Sequence, residues 1–278
     1  MKNILKIMLM MIAIFTIAGS AVYAAEIPVS DQDQLITSSD WTEISNLQDE
    51  MKKEEPDATI DYDKALKVYV DCNLIKLQTA DTKKLTSALE SANYVWVIPF
   101  KMEKTYGMFT VAKGLPLSEE AKSVLTKAEQ EEVKNHAGKW MITETAEHTV
   151  EPYYDILLEK REALSDCTRV VLVGSQPGMR QPVALGMDDE TARIWISLGY
   201  QYPVMEKIPE TQNVESGVYS FDSVAEISDT YIEDSEVSTG AGVQSRSSIK
   251  YVAGIGIVLI GSILIISVLK KKKIKSED

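Results

Sequence analysis

The sequence has 278 residues, of which 29 are Lys or Arg and 42 are Asp or Glu, so its formal net charge at pH 7 is −13. A chain this acidic repels nucleic acid and anionic lipid, and it favours cations or basic partners. Zinc sites and dedicated calcium sites are disfavoured, because the sequence has no HExxH, CxxC or EF-hand pattern. It also has no glycine-rich phosphate loop, and we predict no cofactor.

The amino-terminal segment is typical of a secretory signal peptide. Lys2 and Lys6 accompany an apolar run, and Val22 and Ala24 stand where a signal peptidase requires small side chains. We therefore predict that residues 1–24 are removed during export. A retained amino-terminal anchor is the alternative.

Residues 25–204 are predicted to form one extracellular α+β domain, in which helices pack on a mostly antiparallel sheet that ends in a meander. The two periodicities of apolar residues, three to four and two, separate helices from strands. The predicted helices are 39–53, 81–91, a long helix from Ser118 to Gly138, and one that begins at Pro152. The predicted strands are 66–74, 94–100, 107–114, 140–145, 168–174, 182–187 and 191–198.

Two details of this interpretation concern packing. The alternation along residues 66–74 predicts a half-buried strand that turns Cys72 inward and places Lys67 and Tyr69 on the opposite side. An apolar stripe on the long helix is predicted to face the core, and it consists of Ala121, Val124, Leu125, Ala128 and Val133.

The composition changes after the domain. Residues 205–250 combine acidic residues with Ser, Thr and Gly and show little periodicity, which predicts a disordered acidic stalk. Short apolar runs at 218–221 and 224–227 could dock locally or receive a partner strand. Residues 25–249 together carry 21 basic and 40 acidic side chains, a net charge of −19.

Residues 251–269 are predicted to form a single transmembrane helix. They are 19 residues without a charge, and a helix of that length spans about 28 Å, close to the hydrocarbon thickness of a bilayer. Five lysines lie in the tail that follows, residues 270–278. The positive-inside rule therefore predicts a cytoplasmic tail and an extracellular domain.

The short lysine tail and the lack of an Asn-x-Ser/Thr sequon in residues 25–249 favour a Gram-positive bacterial surface protein. A spacer, an apolar run and a basic tail are also the layout of a cell-wall sorting signal. Thr239 and Gly240 in EVSTGAG resemble the last two positions of the LPxTG motif, whereas Glu236 and Val237 depart from it. Membrane anchoring is the prediction, and wall attachment is the alternative.

Cys72 and Cys167 allow three interpretations. Export permits a disulfide between them, and closing a loop of that length would add about 4 to 5 kcal/mol in the chain-entropy model. Two buried thiols are the second interpretation, and a nucleophilic Cys167 is the third. The segment LSDCTR resembles the strand-end cysteine of sortases, which implies a histidine far upstream and a basic partner, but His148 lies only 19 residues before Cys167.

Aromatic residues provide the candidate ligand groove. Trp96 and Trp140 lie on predicted strands, and Tyr153 and Tyr154 open a predicted helix. Together they could line a groove for sugar or peptide, and packing in the core is the alternative.

These features predict a membrane-tethered extracellular recognition module of a Gram-positive bacterium, more in keeping with binding than with catalysis. Its partner would be an extracellular protein, a peptide or an envelope component, and nucleic acid is excluded by charge. The alternatives are a surface-tethered cysteine-dependent hydrolase or transpeptidase, and a structural component of the cell surface.

Overall fold

The computed structural model describes residues 27–228, except 149, 175, 178, 180, 201 and 210–212. The predicted signal peptide (1–24), the later part of the predicted stalk (229–250), the predicted transmembrane helix and the predicted tail lie outside the described residues. Among the helices that are described, none combines the length and the apolar character needed to cross a bilayer.

The described part of the chain is an α+β fold, as the sequence predicts. Its strands are β1 (Thr59–Ile60), β2 (Leu66–Tyr69), β3 (Tyr94–Lys101), β4 (Tyr106–Lys113), β5 (Trp140–His148), β6 (Arg169–Val173), β7 (Val183–Met187), β8 (Ala192–Ile196), β9 (Asn213–Glu215) and β10 (Val218–Ser220). Its α-helices are α1 (Trp41–Ile44), α2 (Gln48–Glu54), α3 (Thr82–Glu90), α4 (Glu119–Val124), α5 (Lys127–His136), α6 (Tyr153–Glu159) and α7 (221–228). Short 3-10 turns lie at Asp31–Asp33, Leu35–Thr37, Ser45–Leu47, Tyr62–Lys64, Ile75–Leu77 and Met205–Lys207.

All these strands belong to one sheet, with the order β5-β4-β3-β2-β6-β7-β8-β10-β9, and β1 pairs with β3 beside this path. Every neighbouring pair is antiparallel except β2 and β6, which run parallel. That parallel ladder is short, because it joins only Val68 to Leu172 and Tyr69 to Val173. The sheet therefore consists of two antiparallel half-sheets, β1–β5 and β6–β10, that meet along a narrow seam.

Side chains alternate between the two faces of the sheet. We call the face that carries Lys67 and Tyr69 the front and the face that carries Leu66 and Val68 the back. The front holds two separate apolar cores, one on each half-sheet. The first front core lies with α1 and α2 and includes Leu35, Ile44, Met51, Trp96, Phe109 and Trp140. The second front core lies with α3 and α7 and includes Leu85, Leu89, Val171, Leu185, Trp195 and Phe221.

The back core is continuous across the seam, and α6 packs on it through Tyr153 and Leu157. It includes Ile27, Leu66, Val68, Val97, Leu172 and Ile196. The prediction that β2 is half-buried is therefore wrong, because both faces of this central strand are covered. The strand also ends at Tyr69, so Cys72 follows it in a loop and packs against the second front core.

The predicted long helix is two helices in the structure. Thr126 interrupts it as the amino-terminal cap of α5, and Thr126 and Glu129 form a reciprocal capping box. The predicted inward stripe is wrong as well, since none of its members is buried and Val124 is 66% exposed. We call residues 114–138 the α4–α5 excursion, because it leaves the sheet after β4 and returns at β5.

The domain continues past the predicted boundary at residue 204. Met205 and Ile208 are buried, β10 pairs with β8, and α7 places Phe221 and Val224 in the second front core. The two apolar runs at 218–221 and 224–227 thus dock locally. These runs fold because their apolar side chains complete a core that the strands leave open. The first half of the predicted stalk therefore belongs to the domain.

A glycine substitution tests the packing of the first half-sheet. Gly107 lies opposite Phe100 in the β3–β4 pair, and a Cβ there would approach the Phe100 ring to 2.1 Å. The ring cannot retreat, because it is buried and lies 4.6 Å from the ring of Phe109. We expect Gly107→Ala to lower the free energy of unfolding of residues 25–249 by about 1 to 3 kcal/mol, measured by urea denaturation.

Gly174→Ala is the matched control for this substitution. The nearest atom to a Cβ at that position would be Tyr69 O at 3.7 Å, which is an ordinary contact. Equal losses of stability in the two variants would contradict the packing described for β3 and β4.

Candidate functional site: a buried polar cluster and a free sheet edge

The segment of residues 27–34, which we call the N-terminal wedge, lies between the starts of β2 and β6. Val29 pairs with Val170 of β6, and Gln34 pairs with Leu66 of β2. Val170 N also donates a hydrogen bond to Pro28 O at 2.7 Å. The wedge thus bonds to both half-sheets at the point where their parallel ladder has not yet begun.

Asp33, in this wedge, is the centre of a buried polar cluster on the front face. Only 2% of the residue is exposed, and its Oδ2 accepts a hydrogen bond from Arg169 Nη2 at 3.0 Å and one from Ser30 Oγ at 2.6 Å. Its Oδ1 accepts a hydrogen bond from Tyr69 Oη at 2.8 Å, and Lys67 Nζ lies 3.7 Å from it. Lys67 and Tyr69 belong to β2 and Arg169 to β6, so one carboxylate joins both sides of the seam.

Lys67 lies among aromatic rings as well as beside Asp33. Its Nζ is 4.6 Å from the centroid of the Tyr94 ring, 5.3 Å from that of Trp96 and 5.8 Å from that of Tyr69. The negatively polarised faces of these rings attract an ammonium group. The rings form a cage for a cation, and the chain's own lysine occupies it.

A second carboxylate, Asp40, balances the charge of the cluster. Its Oδ2 accepts hydrogen bonds from Tyr94 Oη at 2.8 Å and from Trp96 Nε1 at 3.0 Å. Burial lowers the pKa of Lys67, while the charges of Asp33 and Asp40 oppose that change. Burial, reinforced by Asp33, raises the pKa of Tyr69. Two cations and two carboxylates thus lie in a partly desolvated region, where each charge is stabilised by the opposite charges around it.

The geometry of this cluster suits fastening rather than ligand binding. The cleft beside it, lined by Val29, Asp33, Lys67 and Leu157 among others, is too narrow to admit a water molecule. The hydrogen bonds of the cluster join Asp33 of the wedge to β2 and β6, and they join Asp40 to β3. We conclude that the cluster fastens the wedge and Asp40 to the sheet.

The four aromatic residues of the candidate groove do not come together. Trp96 and Trp140 are buried in the first front core, and Tyr153 is buried in the back core with Tyr154 packed against it. The sheet therefore separates the tryptophans from the tyrosines. The structure therefore supports the alternative interpretation, in which these side chains pack in the core.

The structure does not bring the two cysteines together either. Both thiols are free, with Cys72 against the second front core and Cys167 in the back core, on the opposite face of the sheet. Burial raises the pKa of Cys72 to about 12 and that of Cys167 to about 11, and neighbouring aspartates add to both shifts. At neutral pH both sulfurs are protonated, a state in which they are poor nucleophiles.

The outer edge of β5 is the second feature of functional interest. β5 has nine residues and ends the sheet on one side, where Met141, Ile142, Thr145 and Ala146 are partly exposed. Within the part of the chain that the structure describes, the opposite edge strand, β9, has three residues. Lys160 lies against it through a 2.7 Å hydrogen bond to Ser216 O and an ion pair with Glu215. The two edges thus differ in length and in how far other side chains cover them.

The α4–α5 excursion adds exposed apolar side chains at the start of the same edge. Leu115 is 45% exposed and Val124 is 66% exposed, and Gln130 Nε2 ties α5 to α4 through Leu125 O. Gly114 N donates to Lys139 O, and Gly138 N donates to Gly114 O, which close the base of the excursion. The excursion is therefore a projecting unit fixed at its base beside Trp140.

Sequence reasoning missed the residues of the buried cluster. Asp33 lies in a segment without clear periodicity, and Lys67 reads as the polar side of an amphipathic strand. One signal was available: a lysine at position 67 alternates with a tyrosine at 69, and the strand at 94–96 carries Tyr and Trp in the same alternation. Aromatic residues on the polar side of two strands indicate that this side is covered too.

Comparisons of the sequence with protein-family models, with curated proteins and with solved structures gave no match. Proposals about the function therefore rest on the residues and the geometry of this chain.

Thiol labelling tests the placement of the cysteines. The raised pKa values leave little thiolate at pH 8, and packing restricts access to the buried Cys167 and the partly buried Cys72. We therefore expect both thiols of folded residues 25–249 to react with iodoacetamide well over tenfold more slowly than in urea. Without reductant, the unfolded protein should gain two labels by intact mass. An unlabelled mass in urea would indicate a disulfide, and fast labelling of Cys167 in the folded protein would indicate an activated thiolate. Either result contradicts the structure.

Proposed function

We propose that the chain is an extracellular recognition module, held at a Gram-positive cell surface by one transmembrane helix at residues 251–269. Two apolar segments of the sequence support this topology, the export signal at 1–24 and the uncharged run followed by lysines. The folded domain lies between them. The remaining stalk, from residue 229, would set the distance between the domain and the membrane.

One observation of the structure favours recognition in particular. The long edge strand β5 directly follows the α4–α5 excursion in the chain, and the excursion carries the exposed apolar side chains of Leu115 and Val124. A folded domain often binds another chain through the backbone groups of an edge strand or through exposed apolar side chains. The partner would be an extracellular protein, a peptide or an envelope component.

The alternative of a cysteine-dependent transferase or hydrolase has less support. A nucleophilic cysteine needs a thiolate and a nearby base, whereas the thiol of Cys167 is buried with a raised pKa. The groups that contribute to this pKa are Asp166, Asp188 and Arg193. Two of these three raise it, which is the opposite of activation.

Protease treatment of intact cells tests the proposed topology. The full chain with an epitope tag after Asp278 is expressed, and the cells are treated with proteinase K. We expect loss of the domain and retention of a small tagged membrane fragment, because the stalk is outside and the tail is inside. Permeabilised cells are the control, in which the tag should disappear as well.

Two results would overturn the proposal. A chain that survives on intact cells and is degraded after permeabilisation has its domain on the inside. A mature chain that has lost the tag and co-purifies with peptidoglycan is attached to the cell wall at the Thr239–Gly240 sequence.

A further inference from the structure

We propose that the outer edge of β5 binds an extended basic peptide segment as an added strand. This inference rests on the proposed recognition function and names the surface and the chemical class of its partner. It depends on three observations, which are the length of the edge, the backbone groups along it that no described residue outside β4 pairs with, and the position of its carboxylates.

The edge is long enough to hold a peptide. Nine residues in a strand extend for about 30 Å, which exceeds the length of most strands in globular proteins. The edge is also regular where the charges lie, because the irregularity in the β4–β5 pair falls between Thr110 and Val111. From Glu144 to Glu147 the pairing with β4 is continuous.

The backbone along this edge is available for pairing. Alternate residues of an antiparallel edge strand direct their N–H and C=O groups away from the sheet. Among the described residues, no backbone group outside the β4–β5 ladder hydrogen-bonds to residues 141–147. An added strand would satisfy these groups in the same way that β4 satisfies the inner ones.

The carboxylates indicate what the added strand carries. Glu144 lies opposite Thr110 and Glu147 lies opposite Gly107, so these two exposed residues project from opposite faces of the sheet. Thr145 Oγ1 donates a hydrogen bond to a carboxylate oxygen of Glu54, which brings a third acidic group to the front face beside Glu147. A strand with Lys or Arg three positions apart would place one cation on each face, opposite a carboxylate.

The same charges disfavour a second copy of the chain as the occupant. Two β5 strands side by side would bring the glutamates of both copies close together, and like charges across strands are destabilising. Residues 25–249 also carry a net charge of −19, so two domains repel each other. Charged residues on an edge strand are a common protection against self-association, and here they would also select a basic partner.

A defined peptide tests the inference on the full chain in detergent micelles. The probe is a fluorescein-labelled nine-residue peptide of Thr and Val with Lys at positions 4 and 7, followed by fluorescence anisotropy. We expect binding that weakens about 2- to 30-fold in the double variant Glu144→Gln, Glu147→Gln, the range set by two cross-strand charge pairs. The double variant Glu131→Gln, Glu132→Gln, which removes the same charge from exposed positions of α5, should bind like the unaltered chain.

Backbone pairing is tested separately with N-methylated peptides. Methylation of the alternate amides along one side of the peptide should abolish binding, whereas methylation along the other side should leave it intact, because only one side faces β5. The same peptide with Glu in place of Lys should not bind. Thermal unfolding of each variant confirms that the Gln substitutions leave the fold unchanged.

Several results would overturn the inference. They are equal binding by both methylated peptides, equal binding by the two double variants, no binding by a folded chain, and a dimer that the peptide dissociates. The last would make a second copy the occupant. If the peptide does not bind but protease still removes the domain from intact cells, only this inference is wrong. If the domain is protected on intact cells, the proposed function is wrong as well.

Discussion

One buried carboxylate, Asp33, joins the two half-sheets of this domain on the front face, where their apolar cores are separate. On the back, a continuous core spans the seam. The direct ladder between the half-sheets consists of two residue pairs between β2 and β6, which is little for a sheet of ten strands. Asp33 reinforces it from the N-terminal wedge, with Arg169 on one side and Lys67 and Tyr69 on the other. Loss of one member of a buried ion pair costs more than the pair contributes in net stability, because the remaining charge stays desolvated. The N-terminal wedge therefore contributes to the stability of the sheet, as the strands do.

The polar groups inside the domain and those on its surface thus have different roles. The cation cage on the front face is filled by Lys67. Cys167 is buried in the back core, and Cys72 is partly buried against the second front core. On the outside, the long edge of β5 and the α4–α5 excursion present backbone groups and apolar side chains. We propose that the domain meets its partner at this surface, whose acidity would favour a basic one.

The sequence predicted the α+β class and most strands, because alternation and turn residues are local signals. It did not predict that β2 is covered on both faces, since Lys67 reads as a solvent-facing residue until its partner Asp33, distant in sequence, is known. The stripe around Val124 had the period of a core helix, but Thr126 caps a new helix there and no member of the stripe is buried. The folded segment after residue 204 was missed because its apolar residues are sparse and contribute to a core built elsewhere. The first and the last of these failures concern contacts between distant segments, which periodicity does not report.

The most direct measurement is hydrogen exchange on residues 25–249 with the substitution Asp33→Ala, together with its free energy of unfolding. The account predicts a loss of about 3 to 5 kcal/mol, because Arg169 and Lys67 are left buried without their partner. It also predicts that the amides of β2 and β6 at the seam lose protection before those of β4 and β7. Asp31→Ala, at an exposed position in the same turn, should leave both quantities unchanged. Unaltered protection at the seam and a loss of stability no larger than that of Asp31→Ala would contradict the claim that Asp33 joins the two half-sheets.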